Sequence, residues 1–335
     1  MGKIVFFEVE EWEHDFLQQM YGEDAVLVHD VLTKANATTY QDAEIISTFI
    51  YSQLTKEAID LLPNLKLITT RSTGFDHIDT TYCQQKGITV CTVPSYGVHT
   101  VAEHTFALIL ALTKKLIPSI ERTKKGDFSL TGLEGIDING KVLGVIGTGK
   151  IGTAVMHIAK TFGMHVIALS HHPQVSDSPS LTYVTSLQDV LPKADIVTLH
   201  LPLTPETKHI INMQNIQQFK KGAYLINTAR GGLVETQALL DGLEKGILAG
   251  AGLDVLEDEC DIREERELLS SEFLKSCDLK TQLLQHILLT RDDVLVTPHK
   301  AFDTKEAIQE ILEITAANIK AFQDGKPQNM VETAS

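Results

Sequence analysis

Cysteine is scarce in this chain, and no pair of cysteines is spaced for a metal. The 335 residues hold four, Cys83, Cys91, Cys260 and Cys277, with no C-x-x-C among them. That excludes a disulfide framework and a zinc-ribbon pattern. It reads as free thiols in a reducing cytoplasm, with no metal site. Basic residues are outnumbered, 29 Lys and Arg against 44 Asp and Glu, for a net charge of −15. Such a surface repels phosphate backbones and anionic lipid, so neither nucleic acid nor membrane is expected as a partner. Long apolar runs are missing too. The longest, Val101 to Leu112, is interrupted by Glu103 and His104 and cannot span a bilayer. The first residues, Met1 to Glu8, carry too short an apolar run for a secretory signal. Phe6 stands where a myristoylation motif needs Ser or Thr. Internal repeats and low-complexity tracts are absent as well.

What is present is a globular composition, 43% hydrophobic and 22% charged, on a chain long enough for two cores. Strand-like and helix-like runs alternate almost throughout, which is the α/β pattern. Short apolar or β-branched runs at Lys3–Glu8, Ala25–His29, Ile45–Phe49, Lys66–Thr70 and Thr89–Thr92 build a first unit ending near Pro94. A long helix, Val101 to Leu116, leads to a second unit. Its strands are expected at Val142–Ile146, Val166–Leu169, Ile196–His200, Ala223–Asn227, Gly250–Asp254 and Val294–Thr297. An amphipathic helix, Glu306 to Phe322, follows and is expected to return to the first unit. The first domain would then be discontinuous, 1–100 plus 300–335, around a second at 101–299.

The segment from Lys141 to Gly152 runs from an apolar strand straight into Gly147-Thr148-Gly149-Lys150-Ile151-Gly152 and then an amphipathic run (Val155, Ile158, Ala159, Phe162). G-x-G-x-x-G between strand and helix sets backbone N–H groups at a helix N-terminus, where a dinucleotide pyrophosphate can sit. Gly147 allows the tight turn, Gly149 lets phosphates approach, and Gly152 lets helix and strand pack.

Three strand ends in the second unit carry groups suited to nicotinamide chemistry. Arg230, flanked by Ala229 and Gly231, follows the strand Ala223–Asn227 and suits bidentate carboxylate binding. His299 follows Val294–Thr297, and an imidazole there fits acid–base work. Carboxylates within Gly252–Glu259 follow a third strand, and one of them could hold an imidazole in its charged form.

Together these segments resemble the D-isomer-specific 2-hydroxyacid dehydrogenase family over nearly the whole chain. The matching stretches are Arg71–Asp79, Val101–Thr105, Gly147–Gly152, His200–Thr207, Asn227–Gly232, Gly252–Glu259 and Thr297–His299. The resemblance implies two doubly wound parallel-sheet α/β domains, Rossmann- and flavodoxin-like, with the active site in the cleft between them. It assigns the catalytic arginine, acid and histidine to Arg230, Glu259 and His299. It implies cofactor contacts at Gly147, Thr148, Gly149, Lys150, Ile151, Gly152, Ser170, His171, His200, Pro202, Thr207, Thr228, Ala229 and Asp254. Substrate contacts would fall on Ser72, Thr73, Gly74, Tyr96 and Phe302. Tyr96 and the long Glu259–His299 connection, with its helical insertion around 262–289, are similar to the D-lactate dehydrogenase branch.

The chain also departs from the pattern. Asp303 stands where that branch often has tyrosine. The aspartate that usually binds the adenosine ribose is replaced by Ser170, followed by His171 and His172, with no acid until Asp177. Losing that carboxylate removes a barrier to a 2′-phosphate, yet no Arg or Lys lies nearby to receive one, so NAD is expected, with NADP left open. The expected reaction is reversible reduction of a pyruvate-like 2-oxo acid to the D-2-hydroxy acid, with His299 as proton donor. Two alternatives stand beside it. One is a glyoxylate, hydroxypyruvate or phosphoglycerate-type reductase, for whose phosphate Arg71 is the one candidate cation. The other is a non-catalytic NADH-sensing binding protein. A homodimer is expected through Val101–Leu116 and the apolar 121–139 segment.

Overall fold

The computed structural model describes residues 3–170, 178–257 and 279–331. The chain divides into two compact units, Met1–Gly97 with Asp303–Ser335, and Val98–Phe302. Their strands are β1 (Lys3–Phe6), β2 (Ala25–Leu27), β3 (Ala43–Thr48), β4 (Leu67–Thr70), β5 (Thr89–Cys91), β6 (Val142–Ile146), β7 (His165–Leu169), β8 (Leu181–Val184), β9 (Ile196–Leu199), β10 (Ala223–Asn227), β11 (Leu248–Leu253) and β12 (Val294–Val296). Their helices are α1 (Glu11–Tyr21), α2 (Lys56–Ile59), α3 (Thr80–Lys86), α4 (Val98–Thr113), α5 (Leu116–Lys124), α6 (Lys150–Thr161), α7 (Thr236–Glu244), α8 (Leu279–Leu289) and α9 (Lys305–Gln323).

The first unit is a parallel sheet ordered β2-β1-β3-β4-β5. Alternation along each strand feeds two apolar layers. Val5, Phe7, Ile46 and Ile68 point to one face, where Leu54, Ile59 and Cys83 lie. Ile4, Phe6, Ile45 and Leu67 point to the other, against Leu17 of α1 and Leu312 and Ile319 of α9. With both faces covered, the strands read as continuous apolar runs rather than alternating ones. The chain's last described residues close this unit. Thr92 N–H donates to Asn329 O at 3.0 Å and Val331 N–H to Val90 O at 2.9 Å. The Asn318 side chain, on α9, donates to Thr92 O at 2.9 Å.

The second unit is a seven-stranded parallel sheet ordered β12-β11-β10-β9-β6-β7-β8. The chain runs outward from β6 to β8, returns to β9 beside β6, and then runs the other way. The switch point, where ligands of doubly wound sheets sit, therefore falls between β6 and β9. Two elements differ from the sequence reading. The helix expected over Val101–Leu116 ends at Thr113, because Lys115 takes a left-handed φ of 51°. The returning chain binds the helix end there, Ile136 N–H to Thr113 O at 2.8 Å. An edge strand, β8, stands where no strand was expected.

Candidate active site

The turn from β6 into α6 is shaped like a phosphate cradle. Gly147 has φ +102°, and a Cβ there would lie 2.4 Å from His200 O. A Cβ at Gly152 would lie 2.0 Å from Gly147 O. Protein therefore fills the space beside both. Gly149 differs, because a Cβ there meets nothing within 4 Å. It is also the N-cap of α6, with no side chain capping the helix. This is the arrangement a pyrophosphate needs: closed behind, open in front, with helix N–H groups facing the opening. The residues present fit a dinucleotide. Lys150 and Ile151 form the first turn of α6 behind that opening.

Around this turn the neighbouring strand ends supply the walls. The Thr148 hydroxyl donates to Ser170 Oγ at 2.8 Å, tying the glycine turn to the end of β7. Ser170 is buried and carries no charge. His200 ends β9 behind Gly147, its Nε2 2.9 Å from Thr198 Oγ1. Burial pushes its imidazole down to about 3, so it is a neutral wall of the cradle. The loop Pro202–Thr207 is closed on itself, with the Thr207 hydroxyl donating to Pro202 O at 2.7 Å. His171 lies outside the described residues.

Arg230 and His299 emerge past the carboxyl ends of β10 and β12, on either side of β11. A hydrogen-bonded thread links them. His299 N–H donates to Asp254 O at 2.9 Å, and Asp254 N–H donates to Asn227 O at 2.9 Å. The buried Asn227 amide then donates to Arg230 O at 2.8 Å. Asn227 Oδ1 also accepts the Ala229 N–H at 3.1 Å, so this one side chain shapes the arginine turn. Arg230 Nη1 reaches Ala229 O at 2.8 Å. Thr228 turns inward, its hydroxyl 3.0 Å from that of Thr105 on α4. His299 has a positive φ of 50°, a strained backbone that its neighbours must hold.

The holder is Asp254, almost wholly buried. Its carboxylate accepts the Thr297 hydroxyl at 2.5 Å, Lys300 N–H at 3.0 Å and Ala301 N–H at 2.8 Å. His104 Nε2, from α4, stands 3.1 Å from Thr297 Oγ1 and 3.5 Å from Asp254 Oδ1. Burial alone would raise the Asp254 carboxyl, but these hydrogen bonds, from His104 and Thr297 first, hold it below the usual carboxylate range. Asp254, expected from the family pattern to touch cofactor, thus turns both oxygens to the loop that carries His299 and leads to Phe302. Glu257, another carboxylate of that stretch, is also committed. Its Oε1 is 2.5 Å from His209 Nε2, and its Oε2 accepts from Thr236 N and Oγ1 at 2.8 and 2.6 Å. Glu259 lies outside the described residues.

In the first unit the Ser72–Thr73–Gly74 loop follows β4. Val93 N–H donates to Ser72 O at 3.0 Å, and the Thr73 hydroxyl donates to Val93 O at 2.8 Å. Among the described residues no acceptor takes the N–H of Thr73 or Gly74. Tyr96 sits half-buried between Ser95 and Gly97, whose φ values are +89° and +64°.

Arg71 is not available to any ligand. It is fully buried, with Nη2 donating to Phe7 O at 2.7 Å and Glu8 O at 2.9 Å, Nη1 to Ser47 Oγ at 3.1 Å, and Nε paired with Glu13. The cation considered for a substrate phosphate is a core anchor. Glu8, also buried, accepts Ile50, Tyr51 and Ser52 N–H at 2.9, 2.8 and 2.9 Å. Its carboxylate thereby occupies this sheet's own switch point, between β1 and β3. Asn227 and Thr297 lie within matching stretches and Glu257 among the candidate carboxylates, but the sequence alone names none of their partners, and it assigns Glu8 and His209 no role. Their polar character shows there, but their partners are set by strand order.

A family model described as D-isomer specific 2-hydroxyacid dehydrogenase, NAD binding domain, matches residues 106–301. A 2-hydroxyacid dehydrogenase homolog of Zymomonas mobilis is 33% identical over 331 residues, 97% of this chain and 98% of that protein. A glycerate dehydrogenase of Methylorubrum extorquens is 36% identical over 282 residues, 82% of each chain. Among solved structures, D-lactate dehydrogenase from Aquifex aeolicus, complexed with NAD and lactic acid, superposes with a TM-score of 0.88 at 36% identity, covering 99% of this chain and 100% of that one. With a nucleotide cradle at the switch point of one sheet and such relatives along its whole length, the chain belongs to the D-isomer specific 2-hydroxyacid dehydrogenase family, oxidoreductases that act on CH–OH groups with NAD.

Proposed function

We propose that this chain reversibly reduces a small 2-oxo acid, pyruvate or a near relative, to the D-2-hydroxy acid. The observation that carries this reading is the thread from Arg230 through Asn227 and Asp254 to His299. It ties the backbones of the residues that carry a guanidinium and an imidazole to neighbouring strand ends of the cradle-bearing sheet. Bound NADH would supply the hydride. Arg230 holds and polarises the substrate's oxygens, and the Thr73 and Gly74 N–H groups take its carboxylate. His299, protonated at the imidazole, gives that proton to the carbonyl oxygen during reduction and takes it back during oxidation. Glu259 supports the charged imidazole. Asp254 and Glu257 are committed to other partners, which supports Glu259 as the carboxylate for this task.

The test is steady-state reduction of pyruvate, phenylpyruvate, glyoxylate and hydroxypyruvate by wild type and two variants. His299→Ala lowers kcat by about three orders of magnitude while NADH still binds. Near-normal turnover in that variant sinks the proton-donor role. Glu259→Gln lowers kcat, because the imidazole loses its orienting carboxylate. An unchanged kcat removes Glu259.

Glyoxylate or hydroxypyruvate is the second substrate reading, supported by the glycerate dehydrogenase relative. A phosphorylated substrate loses support, since Arg71 is buried. Ser170 at the end of β7 lacks a carboxylate to repel a 2′-phosphate, so NADPH is admitted alongside NADH. The chain pairs with a second copy through α5 and the segment after it. Leu116, Ile117, Ile120, Phe128 and Leu130 are all exposed there, an apolar patch of the kind that marks an interface.

A further inference from the structure

Three side chains and two backbone carbonyls form a buried cluster at the Ser72–Gly74 loop. Thr70 Oγ1 lies 2.8 Å from Phe49 O, 2.6 Å from Ser72 Oγ and 3.3 Å from His77 Nε2. Ser72 Oγ lies 2.6 Å from Gly74 O. Ser72, Thr70 and His77 are all buried. The two hydroxyls bring one hydrogen each and the two carbonyls none, and a hydrogen on His77 Nε2 makes it the third donor of the network. With three hydrogens for four contacts none is spare, so losing the one from His77 leaves a further desolvated acceptor unmatched, which is costly. The rest of His77 is pinned. Its carbonyl accepts Leu54 N–H at 2.8 Å.

The cluster and the Val93 bond together decide which way the loop's amides point. In a trans peptide, C=O and N–H face opposite directions. The Val93 N–H bond to Ser72 O turns the Thr73 N–H away from Val93, and the Ser72 hydroxyl bond to Gly74 O turns the Phe75 N–H away from Ser72. Among the described residues no acceptor takes the N–H of Thr73, Gly74 or Phe75. We propose that His77 is a positioning residue for the substrate carboxylate: through Thr70 and Ser72 it fixes the loop whose N–H groups receive that anion. This rests on the reading of Ser72–Gly74 as the carboxylate loop.

The experiment uses the full chain saturated with NADH, with pyruvate as substrate and oxamate as an unreactive carboxylate probe. His77→Ala and Thr70→Val raise the pyruvate KM and the oxamate Kd about five- to tenfold, the worth of one buried hydrogen bond. Saturating kcat falls by no more than about threefold, because binding rather than the reacting atoms is disturbed. NADH affinity stays as in wild type. His77→Gln, which keeps an N–H donor, recovers most of the oxamate affinity. Should His77→Ala not fold, Thr70→Val carries the test. Unchanged oxamate affinity in the folded variants overturns the proposal. Thr73→Pro, which removes one loop N–H, separates the two ideas. If it leaves oxamate binding intact, the loop is not the anion site and both fall. If it abolishes binding while His77→Ala and Thr70→Val do not weaken it, only the role of His77 falls.

Discussion

Arg71 Nε lies 2.6 Å from Glu13 Oε1, with both side chains sealed from solvent. That contact is an ion pair without a hydrogen bond, and the bond proper runs from Nη2 to Oε2 at 3.3 Å. The pair joins α1 to the strand end just before the Ser72 loop. Removing one partner strands a buried charge. Glu13→Ala therefore costs about 3–5 kcal/mol, read from the urea midpoint at constant m-value. Glu13→Leu combined with Arg71→Met recovers most of that loss, since an apolar pair of similar volume carries no desolvation cost. A single variant as stable as wild type would show that the pair is not holding this edge together.

The glycine cradle separates fold from ligand. Gly149→Ala adds a methyl into open space at an ordinary φ of −67°, so melting temperature holds. NADH affinity falls by roughly tenfold or more, about 1.4 kcal/mol, because the methyl stands where phosphates approach. Gly147→Ala, at φ +102° and against His200 O, loses stability as well. Titration calorimetry beside thermal melts checks both. Unaltered NADH affinity in Gly149→Ala would place the phosphates elsewhere.

Asp254 makes a pH prediction with a defined sign. Its carboxyl is held below the ordinary 3.8 in the folded state, so the folded form binds fewer protons there than the unfolded chain. The stability this provides is complete above 3.8 and is lost as pH falls from there through the depressed value. Asp254→Asn should be less stable at neutral pH and show a shallower loss of stability below about pH 4. Acid titrations followed by tryptophan-independent far-ultraviolet dichroism give the two slopes. Equal slopes would mean that other carboxylates govern acid unfolding.

The second-copy interface is tested at its most exposed members. Phe128 and Leu130 are 78% and 80% exposed in the single chain. Phe128→Ser with Leu130→Ser should shift sedimentation from a two-chain to a one-chain species while NADH still binds. A monomeric wild type would refute the interface outright.

How much of this could be read beforehand follows from chain distance. The cradle was legible because its strand, glycines and helix are contiguous, and each glycine's duty is local. The parallel sheets were legible because strands covered on both faces read as apolar runs. Leu181–Val184 was not, since an edge strand with a polar position and partial exposure has no such run. The burial of Arg71 was hidden for another reason. Arginine is ordinarily a surface residue, and its partner Glu13 is 58 positions away, brought near by the sheet alone. His209 and Glu257, 48 positions apart, are hidden likewise. Thr70, Ser72 and His77 are close in sequence, yet a count of their protons needs the coordinates of Phe49 and Gly74.

The tie between Asn329, Val331 and the edge of β5 has a consequence for biosynthesis. During translation the amino-terminal five strands leave the ribosome long before α9 and the closing segment exist to cover them. The intervening nucleotide-binding unit is contiguous and can mature meanwhile. Until the final stretch arrives, Ile4, Phe6, Ile45 and Leu67 lack the cover of Leu312 and Ile319 and have only the α1 side packed, and nascent chains halted before about residue 300 should be the aggregation-prone and chaperone-dependent ones.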